Sequence, residues 1–122
     1  MSSSAAFLAA LGVAASFLPA EILGYLNATP GWLPELAIQL AGAAWIALAL
    51  LNWAARGHML GGIYGRPVAL ANFAHFAIGA VTLVKLIRVA GGLPPLAVLT
   101  AGFTLFAVWF GYVLFGPGPQ AR

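Results

Sequence analysis

Four long apolar stretches follow one another along the chain, and clusters of glycine and proline separate them. Each stretch is close to the ~20 residues that a helix needs to cross a hydrocarbon core about 30 Å thick. The separating clusters favour turns and end helices. The stretches cover residues 5–27, 35–55, 67–90 and 94–115. This pattern predicts an all-α fold, a transmembrane four-helix bundle that forms a single integral membrane domain over residues 1–122.

The second and fourth stretches also resemble each other. A shift of 60 residues aligns residues 33–47 with residues 93–107 and gives seven identities in fifteen positions. One interpretation is a shared composition rich in alanine and leucine. The other is a duplication, which predicts two repeated helical hairpins in the same membrane orientation, related by an axis along the membrane normal.

The composition supports a membrane protein and excludes most soluble classes. Hydrophobic residues make up 63% of the chain and charged residues 6%, whereas a soluble domain is about 25% charged. The net charge of +3 comes from scattered residues, so no basic cluster forms a footprint for nucleic acid. The sequence contains no cysteine, which excludes thiolate metal sites and cysteine nucleophiles.

The few charges predict an orientation. With four spans, Arg56, Arg66 and Arg122 fall on the same side as the N-terminus, with no acidic residue beside them. Basic residues in short loops favour the cytoplasmic side of a membrane. We therefore expect both termini and the 56–66 loop to lie in the cytoplasm.

Charged residues also occur inside the apolar stretches, where a charge at mid-helix costs about 2.5–3.5 kcal/mol. Glu21 and Lys85 lie near the outer ends of their spans, at matching depth. One interpretation pairs Glu21 with Lys85, and Arg88 either shares that pair or binds Glu35. In the other, Lys85 and Arg88 extend to the interface, and Glu21 is protonated or reaches water past a kink at Pro19.

Polar and small residues form a stripe along one face of three spans. In the third span the stripe consists of Asn72, His75, Gly79 and Thr82. Spacings of three and four residues place these side chains on one helical face. The stripe of the second span consists of Gln39, Gly42, Trp45, Ala49, Asn52 and Arg56. The stripe of the fourth span consists of Thr100, Thr104, Ala107 and Gly111. Such faces contact protein in membrane bundles, so we expect either tight helix packing or a weakly polar cavity.

His75 is the one histidine within a span, since His58 lies in a loop. Imidazole is a common axial ligand of haem. A haem or a chlorophyll-type pigment at His75 is therefore one interpretation, and a hydrogen-bonded histidine in the protein interior is the other.

The loop between the second and third spans has a composition that suits an anion. Four glycines occupy nine positions between Arg56 and Arg66, and glycine permits backbone geometry in which consecutive N–H groups face one ligand. Juxtamembrane arginine is attracted to anionic lipid. We predict a contact with anionic lipid or a partner through Arg56, His58, Tyr64 and Arg66. The alternative is a flexible turn whose arginines only set the topology.

The sequence lacks the side-chain sets of a catalytic centre. No two carboxylates share a predicted helix face, and no Ser/His/Asp set falls in one layer of the membrane. No His/Glu cluster has the spacing of metal ligands. We therefore expect that the protein is not an enzyme and holds no metal ion.

Two family resemblances follow from these residues. The chain length, the four spans, the short termini and the apparent hairpin repeat resemble the DoxX-like small bacterial membrane proteins. With the Ala/Gly-rich composition, this resemblance implies a bacterial inner membrane. A second resemblance, to the first helix of small multidrug resistance transporters, lies in residues 18–24, which read Leu-Pro-Ala-Glu-Ile-Leu-Gly. That similarity implies that Glu21 binds protons and cationic drugs in turn, although the third and fourth spans lack that family's aromatic and glycine pattern.

Together these features favour a non-catalytic accessory or scaffold subunit of a membrane complex. Its expected partners are membrane lipids and either other membrane subunits or further copies of itself. The alternative function is a proton-coupled small transporter of the multidrug-resistance type that uses Glu21.

Overall fold

The computed structural model describes residues 1–57, 63 and 65–116, and in these residues all regular structure is α-helical. The helices are α1 (Ser2–Phe17), α2 (Pro19–Tyr25), α3 (Trp32–Ala55), α4 (Gly65–Ala90) and α5 (Pro94–Phe115). The chain folds as two compact units, Met1–Arg56 and Gly57–Arg122. We call the first the N-terminal hairpin, with α1 to α3, and the second the C-terminal hairpin, with α4 and α5.

The helices have the length and composition of membrane spans. In the described part of the chain, α3, α4 and α5 are each long and apolar enough to cross a membrane, and a fourth span results if α1 and α2 count as one broken span. The expected all-α fold, with helices long and apolar enough for membrane spans, is therefore confirmed. The four-helix bundle and the single domain stay predictions, because each hairpin is a compact unit in its own right.

The first predicted span is not one straight helix. The structure breaks residues 5–27 at Leu18, and the axes of α1 and α2 differ by 97°. Pro19 occupies the first turn of α2, where its missing N–H is tolerated, whereas inside a helix it removes one hydrogen bond and clashes with the preceding turn. Pro19 and Leu23 are buried. The kink expected at Pro19 is thus present as a sharp bend.

Close backbone contact holds α1 against α3. Gly12 and Gly42 face each other, and a Cβ atom built on either glycine would lie 2.8 Å from the carbonyl oxygen of the other. Nearer the N-terminus, the Asn52 amide donates a hydrogen bond to the Ser4 hydroxyl at 3.2 Å, and both side chains are buried. Small residues with polar pairs are a common form of helix association in lipid.

An aromatic cluster holds α4 against α5. Phe76 of α4 is fully buried, and its ring centroid lies 5.2 Å from that of Phe103, 5.0 Å from that of Phe106 and 6.0 Å from that of Phe110. Edge-to-face and offset arrangements at these distances are favourable for aromatic rings. The two hairpins therefore pack by different means, small residues in one and phenylalanine rings in the other, and the proposed duplication stays a prediction.

Candidate functional site

The asparagine and the three threonines of α4 and α5 each donate a hydrogen bond within their own helix. The Thr82 hydroxyl donates to the Ile78 carbonyl at 2.9 Å. In α5, the Thr100 hydroxyl donates to the Leu96 carbonyl at 2.7 Å, and the Thr104 hydroxyl donates to the Thr100 carbonyl at 2.8 Å. The Asn72 amide donates to the Val68 carbonyl at 2.8 Å. A hydroxyl bonded to the preceding turn presents little polarity to its surroundings. These threonines therefore do not create a polar surface between the helices.

The polar stripes are buried only in part. In α3, the stripe residues Gly42, Ala49 and Asn52 are buried, whereas Gln39 and Arg56 are exposed. In α4, Asn72 is buried, but Thr82 is exposed.

The stripe of the fourth span marks the packed face of α5 only in part. A Cβ atom at Gly111 would lie 3.1 Å from the Phe73 ring of α4, but the residues that the structure buries on α5 are Leu96, Phe103 and Phe110. Thr100 and Thr104 line an open apolar groove of about 620 Å³ together with Ile87 of α4. The expected contact with protein therefore holds for Gly111, whereas the threonine hydroxyls bond within α5 and line the groove.

His75 lies inside the aromatic cluster. Its ring centroid is 5.2 Å from that of Phe76 and 5.5 Å from that of Phe103. Its Nε2 atom is buried and has no hydrogen-bond partner in the part of the chain that the structure describes. Phe103 in turn packs over Gly79, where a Cβ atom would meet its ring. The sequence stripe correctly placed His75 and Gly79 toward protein, but it did not show that the neighbours are aromatic.

The surroundings of His75 do not fit a bound macrocycle. A haem iron or a chlorophyll magnesium needs an open position beside the ligating nitrogen, and protein encloses Nε2 of His75. A macrocycle would reach Nε2 only if the atoms that cover it moved aside. The described residues also contain no group of three or more His, Cys, Asp or Glu side chains placed to hold a metal ion.

The charged residues of the predicted ion pairs belong to different hairpins. Glu21 lies in α2 beyond the bend and is exposed, and Glu35 lies in the first turn of α3 and is half-buried. Lys85 and Arg88 are exposed near the C-terminal end of α4. Pairing of Glu21 with Lys85, or of Glu35 with Arg88, would join the two hairpins and stays a prediction.

The loop that links the hairpins is described at its two ends. The guanidinium carbon of Arg56 lies 3.8 Å from the centroid of the Trp53 ring, and Nη1 donates to the Trp53 carbonyl at 2.8 Å. Arg66 is exposed in the first turn of α4. His58 and Tyr64, the other two predicted binding residues, lie outside the described residues.

The sequence reasoning missed one feature, the aromatic core of the C-terminal hairpin. Phe76 of α4 packs there with Phe103 and Phe110 of α5, and the spacing of seven residues between Phe103 and Phe110 was a readable signal of one helix face. Gln39 is exposed within the N-terminal hairpin, and its place in a protein-facing stripe stays a prediction. Comparison with protein family models, with characterised proteins and with solved structures finds no match to this chain.

Proposed function

We propose that the chain is a non-catalytic accessory or scaffold subunit of a membrane complex in a bacterial inner membrane, and that the 56–66 loop contacts anionic lipid. The observation that carries the proposal is the packing of Arg56 on Trp53 at the end of α3. Tryptophan is enriched where a span meets the head groups. A guanidinium held on that ring is therefore placed at head-group level.

Arg56 keeps donors for a ligand in this arrangement. Guanidinium has five N–H groups, and the structure shows one bond from Nη1 to the Trp53 carbonyl. The side chain remains exposed, so other N–H groups can face a lipid phosphate. Arg66 adds a second exposed cation at the beginning of α4, close to the positive end of that helix.

The accessory role is supported by what the helices leave exposed. In the most apolar 18-residue windows of α3, α4 and α5, only 17%, 22% and 17% of residues are buried. Within each hairpin, much apolar surface is therefore left for lipid tails, for the other hairpin or for neighbouring subunits. The local bonding of the threonines in α4 and α5 also favours a structural role for these helices over a polar path for solutes.

We expect the double variant Arg56→Gln, Arg66→Gln to bind anionic lipid about 10- to 30-fold more weakly, because each arginine near the surface contributes about 1 kcal/mol. The measurement is the fraction of phosphatidylglycerol that co-purifies with protein extracted from mixed vesicles, read by native mass spectrometry.

The matched control is Lys85→Gln, Arg88→Gln, which removes two exposed cations from the other end of α4. The control should keep most of the bound lipid. Equal losses in the two double variants would show a general effect of net charge and would contradict a lipid contact at the loop.

The competing proposal, a proton-coupled transporter, depends on Glu21. Its support is the similarity of residues 18–24 to the first helix of small multidrug resistance transporters. In this structure Glu21 follows the 97° bend and is exposed in α2. The two proposals therefore give opposite expectations for a variant that removes the carboxylate.

We expect Glu21→Gln to leave the fold and any proton flux unchanged, because an exposed surface substitution changes stability by about 0.5 kcal/mol or less. The measurement is pH-driven uptake of a fluorescent cationic dye in vesicles, with Glu35→Gln as the matched control. Dye transport that the native chain supports and Glu21→Gln abolishes would establish the transporter instead.

A further inference from the structure

Two contacts fix the guanidinium of Arg56 on Trp53. Its flat face lies over the Trp53 ring, with 3.8 Å between the guanidinium carbon and the ring centroid, and Nη1 donates to the Trp53 carbonyl at 2.8 Å. The backbone N–H of Arg56 donates to the same carbonyl at 3.4 Å. Because the ring takes one face and the carbonyl one N–H, the edge from Nε to Nη2 keeps its N–H groups for a ligand.

The chain has no acidic side chain that can neutralise Arg56. Its only two acidic residues are Glu21 and Glu35. Glu35 precedes Arg56 by 21 residues along α3, which is about 30 Å. Glu21 lies beyond the far end of α1, whose near end is bonded to Asn52 through Ser4. The C-terminal hairpin contains no aspartate or glutamate, so it offers no carboxylate side chain either.

The tryptophans of α3 place Arg56 at the level of lipid phosphates. Trp32 and Trp53 are 21 residues apart on this helix, about 32 Å along its axis, and the hydrocarbon core of a bilayer is about 30 Å thick. Both rings are exposed, at 78% and 54%, and tryptophan is enriched at both boundaries of a membrane. Trp53 therefore marks one boundary, and a guanidinium on its ring lies next to the phosphate layer.

We propose, in an inference that rests on the proposed lipid contact, that Arg56 binds the phosphate of a lipid through its Nε–Nη2 edge and that Trp53 is its positioning residue. A planar guanidinium matches two phosphate oxygens with two parallel hydrogen bonds, whereas a lysine ammonium is a point charge without that geometry. The ring and the carbonyl hold the side chain in place, which reduces the entropy lost when the phosphate binds. The site therefore selects phosphate oxygens and not negative charge alone.

Arginine-to-lysine variants test the geometry separately from the charge. The full chain is reconstituted in phosphatidylcholine vesicles with increasing phosphatidylglycerol, and bound lipid is read by native mass spectrometry. Arg56→Lys should bind phosphatidylglycerol about 3- to 10-fold more weakly, which corresponds to the loss of one hydrogen bond. Arg88→Lys, at the other end of α4 and also exposed, is the matched control and should bind like the native chain. Excess inorganic phosphate should leave the bound lipid in place, and displacement by it would overturn the assignment to a lipid.

Substitutions of Trp53 test its positioning role. Trp53→Leu should weaken binding about 2- to 5-fold, the range of an exposed cation–π contact, whereas Trp53→Phe should retain part of the affinity. Trp32→Leu, at the opposite end of α3, is the matched control and should leave this binding unchanged. In a chain that already carries Arg56→Gln, Trp53→Leu should have no further effect, because the ring acts through the arginine.

The outcomes separate this inference from the proposed function. Native affinity in Arg56→Lys, or an equal effect of Trp53→Leu with and without Arg56, would overturn the inference. The proposed lipid contact would still stand if the double variant Arg56→Gln, Arg66→Gln lost its lipid in the same vesicles. Retention of lipid by that double variant would overturn both.

Discussion

Replacing Gly12 or Gly42 with alanine is expected to destabilise the N-terminal hairpin by about 1–3 kcal/mol, the usual cost of overpacking a close contact. The Cβ atom added at Gly42 would lie 2.8 Å from the Gly12 carbonyl oxygen and 2.9 Å from the Ser16 nitrogen. These are backbone atoms and cannot rotate away, so α1 and α3 must separate. The measurement is the midpoint of unfolding in mixed micelles titrated with sodium dodecyl sulfate, followed by far-UV circular dichroism.

Gly24→Ala is the matched control for this pair. Gly24 lies in α2, and a Cβ atom there would meet no atom within 4 Å. Alanine also has a higher helix propensity than glycine by about 1 kcal/mol, so the control should be neutral or slightly stabilising. Equal stability of all three variants would contradict the close contact between α1 and α3.

Phe76→Ala is expected to destabilise the C-terminal hairpin by about 2–3 kcal/mol. In water-soluble cores the same truncation costs about 3–5 kcal/mol, but lipid tails solvate an apolar ring nearly as well as protein does, so less is lost here. What remains is the packing of the fully buried ring against Phe103, Phe106 and Phe110. The measurement is again the unfolding midpoint, now followed by the fluorescence of Trp109 in α5, in a chain whose other three tryptophans, all in α3, are replaced by phenylalanine.

Phe17→Ala is the matched control for Phe76→Ala, because Phe17 is 77% exposed at the end of α1. It should leave the midpoint of the C-terminal hairpin unchanged. If Phe76→Ala also left that midpoint unchanged, the aromatic cluster would not hold α4 to α5.

The sequence predicted where most helices begin and end. α5 spans Pro94–Phe115, as expected, and α3 and α4 begin two or three residues earlier than expected. This success has a physical basis, since proline and paired glycines interrupt helices whatever surrounds them. Gly91 and Gly92 have φ values of +75° and +56°, a conformation that glycine adopts without strain.

The packed faces were harder to predict from the sequence. In lipid, apolar side chains have no strong preference for protein over solvent, so hydrophobic periodicity no longer identifies the buried face. The threonines of α5 looked like contact residues, yet they bond within their own helix and the structure buries Phe103 and Phe110 instead.

The sequence predicted which residues belong to the candidate site, but not which side chains surround them. The sequence singled out His75, and the structure adds the rings of Phe76 and Phe103 beside it and the burial of its Nε2 atom. For Arg56, the sequence indicated a cation at the membrane edge, and the structure adds the ring of Trp53 beneath it. Such contacts depend on side-chain rotamers and on neighbouring residues, which a linear pattern does not encode.

The central claim is that lipid covers the exposed apolar side chains of the long helices. Single cysteines at Leu50 and Val108, which are 64% and 67% exposed, test it most directly by labelling with a membrane-impermeant maleimide in sealed and in permeabilised vesicles. Both should stay unlabelled in either preparation, because a thiol in hydrocarbon does not ionise, whereas Gly57→Cys should react in permeabilised vesicles. Labelling of Leu50→Cys and Val108→Cys at the rate of Gly57→Cys would show that water surrounds these helices and would contradict the account.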